Sequence, residues 1–344
     1  MNSQKIDRWF NTTKSSKNET LSGIFERNIC YLIWNSNTDY TLEWVNNIPK
    51  KFNCIKEVKL RNFNQQITFV GQLNYKIHTE YINLNEDITQ YFCRNKSFLK
   101  SHFQKCIRRG MVYKALLTGN LWWDENLSDF LRRLPIIMIE DVTLFQELGI
   151  IIWFMVMIDQ VNIPETFKTW LGSVIISMAK YPTKIFNGTK IESVDYTRLG
   201  LLNINHQNFI YSLMVRRSYG GMKGDMKMIN FTISDYIERL KNDYIVPNIK
   251  HTKYVIYKTL EPKDYELSGL DFHCFPKILE LIQNKFPQFS LITIKKTIWE
   301  NSSKINFREI YSPNTLEIFE CWKIIQKDVV KIQKQYIKKY IVKK

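Results

Sequence analysis

The sequence predicts a mostly α-helical protein with a small N-terminal β or α/β unit. Three observations support that class. Residues 27–90 hold short runs rich in β-branched and aromatic residues, separated by Asn and Gly. From about residue 94 the apolar spacing changes to three and four residues, the period of a helix face. A content of 44% hydrophobic residues with only 12 Gly and 9 Pro in 344 residues excludes disordered, collagen-like and low-complexity chains.

The elements follow in order. Residues 1–10 carry Ile6, Trp9 and Phe10, and residues 11–20, NTTKSSKNET, have linker composition. Residues 1–20 therefore read as a tethered peptide. Within 21–93, the runs CYLIW, IKEVKL, ITFVGQL and YKIHTEYINL read as strands of a small β-containing unit. Residues 94–250 read as a block of packed helix hairpins. Phe98, His102 and Cys106 share one helix face, and Val112 with Leu116 begins a second helix. Ser128 is expected to cap the helix that carries Phe130 and Leu131. The run Leu148–Ile158, LGIIIWFMVMI, is apolar all round yet shorter than the about 20 residues a bilayer span needs. It reads as a buried helix, with no membrane role. ETFKTWLGSVIISMAKY, NHQNFIYSLMVRR and MINFTISDYIERLKNDYIV complete the block. Residues 251–344 read as a C-terminal helical region: FPKILELIQNKF, LITIKKTIWENSS, then a long basic amphipathic helix from about Ser312.

Forty-nine Lys+Arg against 33 Asp+Glu give a net charge of +16. That excess favours a polyanionic partner, although richness in Lys, Ile and Asn also suits an AT-rich genome. The charge is uneven: residues 321–344 contain eight lysines and one acid, Asp328. Lys323, Lys327, Lys331, Lys334 and Lys338 form a stripe beside the apolar positions Trp322, Ile325, Val329, Ile332 and Tyr336. Such a helix lies on nucleic acid or on an anionic membrane, or packs on its own core with a solvated lysine face. Arg108-Arg109 and Arg132-Arg133 are adjacent pairs. The planar fork of arginine suits phosphate, and equally an internal network with Glu140 and Asp141. The turn Arg216–Asp225, with Gly220, Gly221 and Gly224, has Arg216, Arg217 and Lys223 around it. It reads either as a phosphate-holding nest or as a tight interhelical connection.

Two resemblances attach to these residues. Ile6, Trp9 and Phe10 have the spacing of a sliding-clamp-binding peptide, in which one 3₁₀ turn gathers an aliphatic residue and two aromatics. The segment resembles the PIP box of proteins that bind PCNA-like clamps. It departs from that pattern in that Ser3 stands where the usual Gln falls and Trp9 replaces Phe or Tyr. Further on, Gln104-Lys-Cys-Ile107-Arg108-Arg109, Ala115-Leu116, Leu131-Arg132-Arg133-Leu134 and Ile139-Glu140-Asp141-Val142 occur in that order. They resemble the C-terminal helical domain of the RarA/MgsA family, relatives of clamp loaders, over roughly residues 97–250. The resemblance implies a homo-oligomerising helical domain that acts at replicating DNA. Thr143 replaces the family's Gly, and no G-x-x-x-x-G-K-[ST] occurs, so the family's ATP-driven activity is not implied.

No nucleotide cofactor and no catalytic motif is therefore expected. His102, Cys106, His273 and Cys274 are the donor types of a zinc site, with burial in helix packing as the alternative reading. Glu300–Arg308, ENSSKINFR, reads as a surface turn with Lys304 and Arg308 available to phosphate. Six scattered cysteines and an N-terminus without an apolar core suggest an intracellular protein, in a nucleus or at a cytoplasmic viral replication site. The expectation is a non-catalytic DNA replication or repair accessory protein, recruited by a clamp and binding DNA backbone through Arg108, Arg109, Arg216, Arg217, Lys223 and the lysines of the last helix. A metal-dependent enzyme on nucleic acid around Asp271 and His273, and an oligomeric scaffold, are the alternatives.

Overall fold

The computed structural model describes residues 24–75, 91–186, 194–254, 260–270, 276–310 and 315–343. Ile6, Trp9, Phe10, Asp271, His273, Cys274 and most of the run YKIHTEYINL lie outside them. The mostly helical class with a small N-terminal sheet is the one the chain adopts.

Four strands, β1 (Ile29–Trp34), β2 (Tyr40–Val45), β3 (Cys54–Leu60) and β4 (Gln65–Leu73), form a sheet of order β2-β1-β4-β3. β1 and β4 run parallel in the middle; β2 and β3 pair antiparallel on the outside. The buried pattern follows position. β4 is buried across Ile67–Gly71, whereas edge strand β3 alternates along Cys54–Leu60. The turn before β2 is closed by Ser36, whose hydroxyl accepts the Asp39 amide at 3.1 Å.

The sheet is covered by α3 (Leu148–Met157), all ten residues of which are buried. Trp153 of α3 donates its indole N–H to the Val70 carbonyl at 3.1 Å. A Cβ at Gly71 would stand 2.5 Å from that indole, so only glycine lets helix and strand approach this closely. On α3 pack α2 (Val112–Asp141) and α5 (Ile204–Ser218), and on these in turn α1 (Lys96–Arg108), α4 (Glu165–Lys180) and α6 (Lys223–Lys241). Sheet and helices share one core, in which Trp34 meets Phe154, Phe167 and Trp170 edge to face. α2 breaks at Asn126, whose φ of −158° leaves the helix and whose Oδ1 accepts the Asp129 amide at 2.9 Å. The cap expected at Ser128 thus falls two residues earlier, because the Asn side chain reaches the third amide of the new helix.

The C-terminal helices α7 (Pro276–Lys285), α8 (Leu291–Ile298) and α9 (Leu316–Tyr340) enclose their own core of Ile278, Ile282, Ile294, Ile298, Ile325 and Val329. The far end of α9 leaves that core. Ile337 and Ile341 pack with Phe98, Tyr265 and Leu270 against α1. Two short strands, β5 (Tyr91–Cys93) and β6 (Ile341–Lys343), then pair antiparallel and tie the end of the chain to the start of the helical block. Among the described residues no helix is long and apolar enough to cross a membrane.

Candidate functional site

Most of the arginines that read as phosphate contacts point inward. Arg108 sets its Nε 2.5 Å from Asp141 Oδ1 and its Nη2 3.0 Å from Glu140 Oε1, while Nη1 donates to the Ser303 carbonyl. Asp141 is 1% exposed and takes a further hydrogen bond from Gln104 at 2.8 Å. Arg133 joins the same cluster, 2.9 Å from Asp225 and 3.7 Å from Glu140. The motif residues Gln104, Arg108, Arg133, Glu140 and Asp141 are thus partners of one another. Of the two readings open for them, the internal network is the one the fold holds. Arg109 donates to the Ser302 carbonyl at 2.7 Å and lies 3.6 Å from Glu266. Arg108 and Arg109 therefore grip the C-terminal helices rather than present a free face.

The glycine turn is likewise spent internally. Arg216 is 3% exposed and donates to the carbonyls of Arg132 at 2.8 Å and Gly220 at 2.9 Å. Burial lowers its pKa to about 10. Arg217 lies 5.6 Å from the centre of the Phe63 ring, and of the three cations only Lys223 is exposed. The carboxylate of Asp225 sits in the first turn of α6 and holds Arg133 there, where a phosphate would need open positive charge.

Residues 300–308 also differ from the expected surface turn. α8 continues as a π-helix, Trp299–Ser303, with Glu300, Ser302 and Ser303 buried. Arg308 donates to the carbonyls of Ile107 at 3.1 Å, Met178 at 2.6 Å and Tyr181 at 2.7 Å. One guanidinium thereby closes the C-terminal ends of both α1 and α4, where unpaired carbonyls and the helix dipoles favour a cation. Burial lowers its pKa to about 10, with Asp141 acting in the opposite direction.

His102 has both ring nitrogens engaged. Nε2 accepts the Glu266 amide at 2.8 Å, which fixes the proton on Nδ1, 2.8 Å from the Thr118 hydroxyl. Burial lowers its pKa to about 3. Cys106 lies beside the ring at 3.7 Å from both nitrogens. No lone pair of His102 is left for zinc, so this pair packs α1 against Gly269 instead of ligating. Among the described residues no three His, Cys, Asp or Glu side chains group as metal ligands.

The lysines of α9 behave otherwise. Ile318, Cys321, Ile325 and Val329 are buried, while Lys323, Lys327, Lys331, Lys334 and Lys338 are exposed. At about 100° per residue the five lysines fall within an arc of about 80°, opposite Ile325. They run over 15 residues, or about 22 Å of helix at 1.5 Å per residue. Among the described residues none of the five enters an ion pair, and Asp328 is held by Lys285. The stripe lies opposite the side buried at Ile318, Cys321, Ile325 and Val329; further along, the buried side turns through Gln333 to Ile337, next to the lysines.

A second feature was not legible in the sequence. An open groove of about 790 Å³ lies beneath β2, bounded by the N-terminal ends of α3 and α5 and by residues 243–248. Asn205, Asn208 and Asn248 line it with Tyr40, Tyr244 and Leu42. Its charged groups are Glu147 and Asp243, and no lysine or arginine lines it. Burial raises the Glu147 carboxyl above its usual range, against the Ile249 amide that donates to it at 3.0 Å. The Asn208 Oδ1 is buried without a hydrogen-bond donor. No family model, curated protein or solved structure matches the chain.

Proposed function

We propose that the protein is a non-catalytic DNA replication or repair accessory protein that holds nucleic-acid backbone on the lysine face of α9. The observation that carries this reading is the five-lysine arc, exposed, unpaired among the described residues and fixed on a helix anchored at both ends. Lysines at three- and four-residue spacing offer a row of point charges to successive phosphates, which gives affinity without sequence readout. Lys223 is a further exposed cation. Ile6, Trp9 and Phe10 supply recruitment to a PCNA-like clamp, and the helical block supplies self-association, as the two resemblances imply. The site of action is then intracellular, in a nucleus or at a viral replication site.

The test is duplex-DNA binding against salt. Five phosphate contacts correspond to a slope of about −4.5 in log K against log salt, a loss of about 500-fold between 50 and 200 mM. Replacing all five lysines by Gln should remove that dependence, and unchanged binding by the variant overturns the reading. Clamp pull-down with Ile6, Trp9 and Phe10 changed to Ala tests recruitment separately; equal recovery refutes it.

A further inference from the structure

The outer edge of β2 is open, and its phase follows from the sheet. Thr68 donates to the Asn28 carbonyl and Asn74 to the Trp34 carbonyl, so the even-numbered residues of β1 bond to β4. The odd-numbered Ile29, Tyr31 and Ile33 therefore bond to Val45, Glu43 and Thr41 of β2. That leaves the backbone N–H and C=O groups of Tyr40, Leu42 and Trp44 facing outward. Among the described residues no backbone hydrogen bond reaches them from outside the sheet. The side chains of Tyr40 and Leu42 border the 790 Å³ groove. A strand added to this edge would send alternate side chains onto the same face and into that groove.

The groove also specifies the charge of what enters. The chain as a whole is +16, yet this lining holds Glu147 and Asp243, one imidazole (His206), and no lysine or arginine. Neither carboxylate enters an ion pair among the described residues, and the buried Asn208 Oδ1 lacks a donor. Leu42, Ile150, Phe209 and Val246 add apolar walls. The geometry points to a peptide-docking site: an extended segment of a partner protein pairs with the β2 edge and places a lysine or arginine side chain between Glu147 and Asp243. A nucleic-acid backbone does not suit a groove whose charges are both negative.

The full chain is titrated with a fluorescent octapeptide of alternating Val and Lys. Controls are the Val and Glu counterpart and a Val and Lys peptide N-methylated at alternate amides. The Val and Lys peptide should bind at least tenfold more tightly than either control. Overall charge acts in the opposite direction, since a protein of +16 attracts the acidic peptide, so the preference has to come from the groove. Asp243→Asn with Glu147→Gln should abolish the preference, and Asn208→Ala should weaken binding. Equal or tighter binding of the acidic peptide overturns charge selection, and equal binding of the N-methylated peptide overturns strand addition. An oligothymidylate whose own affinity falls on Asn208→Ala would assign the groove to nucleic acid instead.

Discussion

The inward-facing arginines and the lysines of α9 carry the same charge and do opposite things. Arg108, Arg216 and Arg308 each place several N–H groups on carbonyls or carboxylates inside the fold. Lys323, Lys327, Lys331, Lys334 and Lys338 stay in solvent. The difference follows from shape. A planar fork satisfies two helix ends at once and is weakly hydrated, whereas an ammonium on a flexible stem keeps its water. Net charge is therefore a poor map of a binding surface: what counts is the cation the fold does not consume.

The largest effect tests the buried side of that contrast. Asp141→Ala leaves Arg108 without its closest partner at a nearly sealed site, and should cost about 3–5 kcal/mol in denaturant unfolding. A loss below about 1 kcal/mol would show that the network is surface-like. Next, the five-lysine Gln variant should lose DNA affinity by orders of magnitude at 50 mM salt and keep its unfolding midpoint; a large fall in the midpoint would place those lysines in the fold instead. Arg308→Ala opens the ends of α1 and α4 together and should cost about 2–3 kcal/mol by loss of charged hydrogen bonds, with amide exchange rising at both ends.

pH sharpens the contrast further. His102 titrates near 6.5 when unfolded and at about 3 in the fold. Between those values the unfolded chain binds a proton that the native one refuses, so stability falls as pH falls, by up to about 1.4 kcal/mol per unit. The stability advantage of the protein over His102→Gln should shrink from pH 6.5 downward, and an advantage constant with pH would mean that His102 is not held neutral. The smallest effect is Lys331→Gln alone, which should reduce the salt slope by about 0.9 with stability unchanged.

Periodicity made much of this architecture readable. The apolar run of α3 identifies a buried helix because no face of it is polar, β3 follows from alternation, and β4 from its β-branched and aromatic run. β2, YTLEWV, escaped notice although the polar Asn35–Asp39 stretch before it is a hairpin signal. The lysine arc was legible because it depends only on helix spacing. The fate of the arginines was not: Arg108 meets partners at Asp141 and Ser303, far along the chain, and two adjacent arginines say nothing about direction. Residues 300–308 imitate a loop in composition, since Ser and Asn serve a π-helix gripped by arginines as well as they serve a turn. The groove draws on four separate segments, so no local pattern announces it.

The pairing of β5 with β6 has a consequence for the order of events in synthesis. Cys93 is made about 250 residues before its partner Ile341. At about 5–20 residues per second, the strand near the start of the helical block waits about 12–50 s for the other half of its ladder. The helical block can collect its own core in that interval, before the lysine helix is complete. Residues 91–93 thus lack their ladder partner until Ile341 is made, and a ribosome stalled before that point would leave them so.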